Sequence, residues 1–385
     1  MKIKDNIYNV GVNDREIELF EGQYMVENGM AYNSYLICDE KTAVLDSVDR
    51  CCGEEWMNNI KAQLGDKEPD YLVVHHMEPD HSANIDTFLN VYKSAKIVSS
   101  AKSFAMMKQF FGTDYAERQI VVGEGDTLSL GEHELTFIAA PMVHWPEVIV
   151  SYESKSKTLF SADGFGKFGT TDADEDWACE ARRYYFGIVG KFGAQVQALL
   201  KKASALDIET ICPLHGPVLT ENLGYYINLY DTWSSYEPES EGVMIAYTSV
   251  YGNTAQAVEM LVSELEKAGC PKVAVSNLAY CDMAEAVEDA FRYDRMVLAT
   301  TTYNGGIFPT MYEFIHHLTD HNFQNRTIGI MENGSWAPNV EKNIKAMFEN
   351  SKNITFTETG VHIKSAVSAD NADEIKALAQ ELCKK

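Results

Sequence analysis

The chain has 385 residues, beyond the size at which a single hydrophobic core usually stops growing, so two domains are the first expectation. Apolar residues make up 45% and charged residues 23%, close to average usage, which excludes disordered, collagen-like and disulfide-stapled classes. A net charge of −25 repels phosphate backbones and anionic headgroups, so neither nucleic acid nor a membrane is an expected partner.

The N-terminal stretch carries two lysines but no apolar run behind them, and no segment reaches the ~18 apolar residues of a spanning helix, so a cytoplasmic location is expected. Eight cysteines are scattered without a C-x-x-C pair, which argues against zinc knuckles and thioredoxin-type dithiols and leaves reduced structural thiols as the default. Short β-rich runs then dominate, at residues 33–48, 71–76, 96–100, 118–140, 147–153 and 158–163. Helical patterns interrupt them at residues 54–64 and 102–111, with a long one over 175–203, so sheets covered by helices fit better than a bundle.

Potential metal ligands cluster at the ends of these runs. After the apolar 71–74 come His75, His76, Met77, Glu78, Pro79, Asp80 and His81. A chain leaving a strand in extended form points alternate residues one way, so His76, Glu78 and Asp80 can share a side. His81 adds a fourth donor, and His144, Asp163 and His215 each sit in a turn-like setting after an apolar run. Any one histidine alone is more often a hydrogen-bonded structural residue. Seven donors at strand ends instead suggest a dinuclear centre, with Asp163 as the natural bridge because one carboxylate can bind two metals. On the same alternation His75 faces away and is structural, and His133, in a polar turn, is expected to be solvated.

The acidic run 236–242 carries a proline and lacks periodicity, which places a boundary between residues 1–241 and 242–385. Beyond it, strand and helix patterns alternate regularly through five units, the signature of a doubly wound parallel sheet with its ligand crevice at the carboxyl ends of the strands. The first strand leads into Thr248, Ser249, Val250, Tyr251, Gly252, Asn253 and Thr254, a loop opening a helix whose N–H and hydroxyl groups can hold one phosphate. No Gly-Lys-Ser/Thr follows, so a nucleotide-hydrolysing P-loop is excluded. Thr301, Thr302, Tyr303, Asn304, Gly305 and Gly306 follow the third strand, and Asn333, Gly334, Ser335 and Trp336 the fourth. Their glycines admit close approach of a flat ring, which Tyr303 and Trp336 can cover, the alternative for Trp336 being a core residue or a dimer contact. His316, His317 and His321 ride a helix or its end and read as surface or packing residues.

The first constellation resembles the metallo-β-lactamase superfamily, whose usual H-x-H-x-D-H here becomes His76-x-Glu78-x-Asp80-His81, the variant found in flavodiiron proteins. Carboxylate in place of imidazole hardens the site and favours redox-active iron over zinc. The three loops of the second half resemble those of flavodoxins, which hold FMN, so the resemblance to a two-domain flavodiiron protein covers essentially the whole chain. It implies an N-terminal metallo-β-lactamase-like αββα sandwich and a C-terminal flavodoxin-like sheet. It also implies one iron on His76, Glu78 and His144, the other on Asp80, His81 and His215, and Asp163 between them. The implied reactions are reduction of dioxygen to water and of nitric oxide to nitrous oxide, in a head-to-tail homodimer or a dimer of dimers. With no C-x-x-C rubredoxin segment in the chain, a separate donor is expected, and the family suggests rubredoxin. One position departs: where many members have a histidine in F-H-G, this chain reads Phe20-Glu21-Gly22, making Glu21 a neighbour of the ligands, an alternate proton donor or a solvated residue. The alternatives are a zinc hydrolase of the metallo-β-lactamase type fused to a flavodoxin-like module, and an electron carrier or redox sensor with a vestigial metal domain.

Overall fold

The structure is a computed structural model that describes residues 1–384. By contacts the chain divides into two compact units, the first Met1–Tyr185 with Ala194–Asp231, the second Phe186–Gly193 with Thr232 onward.

In the first unit two sheets stack face to face. One has seven strands, ordered Lys2–Lys4, Ile7–Asn9, Tyr35–Cys38, Thr42–Leu45, Tyr71–Val73, Lys96–Ser99 and Gln119–Val121. The other has five, Thr127–Ser129, Glu134–Ala139, Ile149–Glu153, Thr158–Phe160 and Thr210–Cys212. Inward residues of both meet in one core: Tyr35, Ile37, Leu45, Val73 and Val98 from the first sheet pack with Leu135, Phe137, Ile149 and Phe160 from the second. Alternation along each strand supplies those residues, and burying them against a second sheet is the largest favourable contribution to this layer. Helices Gly53–Leu64 and Ala101–Phe111 connect strands of the first sheet, and Val196, Leu199 and Leu200 of Gly193–Ala203 lie beside Ile138, Val150 and Leu159 of the second, giving the αββα sandwich.

The second unit is a parallel sheet ordered Val273–Asn277, Ser240–Tyr247, Tyr293–Tyr303, Arg326–Asn333, then Ile354–Phe356 and Val361–Ile363 in succession along the last edge. In sequence order this is 2-1-3-4-5, the flavodoxin arrangement, whose switch point lies between the first and third strands. Helix Asn253–Lys267 packs Ala257, Val258, Leu261 and Leu265 onto the sheet beside Ile375, Leu378 and Leu382 of Ala369–Leu382.

Two expectations from sequence are corrected. The helical pattern over 175–203 is not one helix: Trp177–Tyr184 passes through a π-helical turn at Tyr185–Val189 and a 3₁₀ turn at Gly190–Phe192 before Gly193–Ala203 resumes. Three glycines within seven residues weaken the regular ladder there, and the side chain of Phe186 leaves to stack on Phe291 at 4.1 Å. The run 236–242 is not an exposed linker either. Tyr236 is buried, its hydroxyl donates to the Gly190 carbonyl at 2.8 Å, and Ser240 already begins a strand.

Candidate functional site

Several strand ends and one connection of the first unit deliver the donors. His76 follows Tyr71–Val73, Asp163 follows Thr158–Phe160, His215 follows Thr210–Cys212, and His144 lies in the connection between Glu134–Ala139 and Ile149–Glu153. The chain does not stay extended from His76 to Asp80, contrary to the alternation argument. Glu78 is the N-cap of a short helix, Pro79–Ser82, because proline at the first helical position presets the turn. Glu78 therefore stays with His76, while Asp80 and His81 turn to the opposite side.

Two donor sets result, His76, Glu78, His144 and Asp163 in one, Asp80, His81 and His215 in the other. In the first, His144 Nε2 lies 2.9 Å from Glu78 Oε2 and 3.3 Å from His76 Nε2. In the second, His81 Nε2 lies 3.0 Å from His215 Nε2 and 3.2 Å from Asp80 Oδ2. Asp163 joins them: its Oδ2 approaches His144 at 3.1 Å and His76 at 3.3 Å, and its Oδ1 approaches His81 at 3.2 Å and His215 at 3.7 Å. A carboxylate with one oxygen directed at each donor set has the disposition that bridging two metals would need.

These contacts are not a hydrogen-bond network. Both oxygens of Asp80 and of Asp163 are buried without an aligned donor. The His76 Nδ1–H donates to Glu147 Oε1 at 2.8 Å and the His215 Nδ1–H to the Ala31 carbonyl at 2.8 Å, since neither acceptor has a proton to give. Their Nε2 lone pairs thus point inward, at other lone pairs. Such convergence is repulsive unless cations lie within it, and bonds of about 2.1 Å require donor separations of about 3.0 to 3.4 Å, the spacing found. The residues present fit a dinuclear metal centre. Burial would raise Asp163, but His76, His144 and His81 overcome it and hold its carboxyl well below the usual range, so it stays an anion. Burial lowers His144, while Asp163 and Glu78 lift it to about 9.

Residues that orient the ligands were not legible as site residues. Glu147 accepts from His76 and also from the Met77 N–H at 2.9 Å; its only signal is its place three residues after His144. Trp145 meets the His76 ring edge-on at 5.2 Å, and Phe20, Tyr32 and Tyr184 surround His215 at 5.4 to 6.0 Å. His75 faces away, between Asp46 and Ser151 at 2.6 and 2.8 Å. His133 is buried 3.2 Å from Glu153, a correction to the solvated reading, because its hairpin closes onto Glu153 at the end of the neighbouring strand Ile149–Glu153. Glu21, an exposed residue with positive φ at 50°, brings its carboxyl beside Glu78 and accepts from Gln23 at 3.3 Å; partial desolvation, then Glu78, raises its pKa to about 7.

In the second unit a cavity of about 580 Å³ opens at the switch point, a volume suited to one mononucleotide-sized ligand. Ser249 to Tyr251 with Asn253 and Thr254, the stretch Thr301–Gly305, and Asn333–Ala337 line it. Gly252 has φ 92° and starts the helix, so the first-turn N–H groups face the cavity end without intrahelical acceptors. The Thr301 hydroxyl is buried without a partner, and Tyr251 and Trp336 stand 92% and 83% exposed, rings in want of a flat surface. This is a fit for a phosphate-bearing planar ligand. Thr248, Gly252 and Gly306 do not line the cavity; Thr248 is buried, its hydroxyl 2.6 Å from that of Thr300. Ser365 does line it, bonded through Oγ to Ser335 at 2.7 Å, and could have been sought at the end of the last strand.

Fold and sites together define a two-domain redox flavoprotein: a metallo-β-lactamase-like domain with a dinuclear metal centre, then a flavodoxin-like domain. Residues 30–216 match the ODP family beta lactamase model and residues 244–361 the flavodoxin domain model. A nitric oxide reductase of Moorella thermoacetica is 27% identical over 93% of this chain and 92% of its own. Rubredoxin oxygen:oxidoreductase from Desulfovibrio gigas superposes with a TM-score of 0.92 at 25% identity, covering 100% of this chain and 97% of its own. The flavodiiron protein of Giardia intestinalis does so with 0.92 at 25%, covering 99% and 95%. The chain belongs to the flavodiiron proteins, and its cofactors are a di-iron centre and FMN.

Proposed function

We propose that this oxidoreductase reduces dioxygen to water, nitric oxide to nitrous oxide, or both, at a di-iron centre in residues 1–241 fed by FMN in residues 242–385. The observation that carries the reading is Asp163, whose two oxygens divide between the two donor sets. When bound, two irons and one flavin supply up to four electrons, the number that dioxygen needs to reach water and twice what two nitric oxide molecules need to reach nitrous oxide.

The chain's own residues set the conditions. His76, Glu78 and His144 would hold one iron, Asp80, His81 and His215 the other. Glu147 and the Ala31 carbonyl fix the tautomers of His76 and His215, so both present Nε2 inward. Phe20, Tyr32, Tyr184 and Trp145 form an apolar wall that excludes water, which keeps the reacting centre dry and strengthens its electrostatics. Glu21 keeps a carboxyl beside Glu78 that can hold a proton at its Oε atoms close to the ligand shell. In the second unit Ser249 to Tyr251 with Asn253 and Thr254 would hold the FMN phosphate, with Thr301 to Gly305 and Asn333 to Trp336 around the ring.

Electrons would arrive from a separate protein, rubredoxin being the donor suggested by the name of the Desulfovibrio relative. Among the described residues no helix is long and apolar enough to cross a membrane, and a cytoplasmic setting is part of this proposal. The test is anaerobic stopped-flow of the fully reduced, iron- and FMN-loaded enzyme against each gas, with metal analysis of the same sample. Iron in excess of zinc and flavin reoxidation by at least one gas are expected. Stoichiometric zinc, with no gas reduction after iron reconstitution, would overturn the reading in favour of a hydrolase.

A further inference from the structure

The first unit carries a second cluster of ligating atoms, chemically unlike the first. Cys51 and Cys52 are adjacent in the 3₁₀ turn Arg50–Cys52, and the turn brings their Sγ atoms to 3.4 Å of each other. Cys51 Sγ also lies 3.5 Å from Asp14 Oδ2. Each of the three is anchored by backbone. Asp14 Oδ1 accepts the Glu16 and Ile17 N–H groups at 2.9 and 3.1 Å, which leaves Oδ2 turned to the thiols. Asp49 pins the turn, its side chain accepting the Cys51 N–H and its carbonyl the Cys52 N–H, both at 3.0 Å. Both thiols are free.

The surroundings favour a cation. A cleft of about 680 Å³ opens over the cluster, lined also by Glu16, Asp49 and Glu55. Arg15 lines it too, but its guanidinium is engaged by both oxygens of Asp172 at 2.8 and 2.7 Å. Partial desolvation, then Asp49 and the neighbouring thiol, push the Cys51 thiol upward, an effect that a bound cation would reverse. Two sulfurs and one carboxylate oxygen form a softer set than the nitrogen and oxygen donors around Asp163, and three protein donors with a cleft above leave a fourth position open. Sulfur–metal bonds of about 2.3 Å place two sulfurs about 3.8 Å apart in a tetrahedron, so the turn needs to open by only a few tenths of an ångström.

We propose that Cys51, Cys52 and Asp14 form a second metal site, which binds a thiophilic divalent cation of the zinc class and releases the two thiol protons as it does so. The site is separate from the di-iron donors, although Tyr32 lines its cleft and also meets the His215 ring at 6.0 Å.

The test titrates the iron- and FMN-loaded protein with Cd²⁺, anaerobically and with its thiols kept reduced by a phosphine. Thiolate-to-cadmium charge-transfer absorption reports sulfur ligands only, so the nitrogen and oxygen donors of the di-iron site are silent. The wild type should give a saturating signal with two protons released per cadmium, reversed by competing Zn²⁺, that is absent from Cys51→Ser/Cys52→Ser. Asp14→Asn should weaken binding by more than about tenfold, the size of effect seen even for groups that only orient a ligand. Should the double variant fail to fold, Cys51→Ser alone, at an exposed position, should lose about half of the charge-transfer intensity, one of two sulfur ligands being gone. The same cadmium spectrum in the wild type and the serine variants would overturn the site, as would undiminished affinity in Asp14→Asn.

Discussion

At the scale of single residues, the metal centre depends on groups that never touch the metal. Glu147 is buried, and burial opposes its charge, but His76 and the Met77 N–H hold its carboxyl low. Glu147→Gln would replace an obligate acceptor with an amide that can also donate, so His76 loses its fixed tautomer. Iron retained after dialysis should fall, with affinity reduced about 10- to 100-fold, while far-UV dichroism stays unchanged. Glu21 makes a different prediction. Glu21→Gln keeps the shape but removes the proton-holding carboxyl, so iron content should hold while gas turnover drops by at least about 100-fold, the lower end for removal of a proton-transfer group. Undiminished turnover in single-turnover kinetics would assign Glu21 a passive place beside Glu78.

At the scale of elements, strand ends and helix starts do the positioning. The loop from Ser249 into helix Asn253–Lys267 is organised by the Ser249 hydroxyl, which accepts the Gly252 and Ala255 N–H groups at 3.1 and 3.2 Å. Ser249→Asp would set a carboxylate in the proposed phosphate cradle. FMN affinity, followed by fluorescence titration of the flavin-free protein, should drop by about tenfold or more, equivalent to ~1.4 kcal/mol. Iron content should be untouched, because the two sites belong to separate units. The same level explains why Glu78 and Asp80 part company: the proline between them starts a helix, and one turn redirects Asp80 and His81 to the second donor set.

At the scale of the molecule, electrons must pass between sites built by different units. A head-to-tail homodimer, with the FMN of one subunit facing the iron pair of its partner, would solve this through a two-fold axis that makes both contacts at once. Co-expression of a His76→Asn/Asp80→Asn chain with a Ser249→Asp/Thr254→Tyr chain, meant to lose FMN altogether, under different tags, tests it. Each homodimer should be inactive, and the isolated heterodimer should keep one working pair and about half of wild-type turnover. A heterodimer that holds both cofactors but does not turn over would place transfer within one chain.

Much of this was open to the sequence alone. The candidate donors His76, Glu78, Asp80, His81, His144, Asp163 and His215 stand out because they follow apolar runs, and strand ends are marked by local composition. The parallel order of the second half is legible for the same reason, since alternation of strand and helix is a local pattern. Tertiary structure decided what depends on distant partners: that Asp163 turns one oxygen to each donor set, that His215 is held by a carbonyl 184 residues away, and that Glu147 and Ser365 join the sites. It also broke the helix expected over 175–203 and gathered Cys51, Cys52 and Asp14 around one point. The physical reason is common to all of these. Local sequence fixes which groups lie at the end of an element, whereas the direction of a ring nitrogen or carboxylate oxygen is set by whichever buried donor or acceptor the packed fold brings against it.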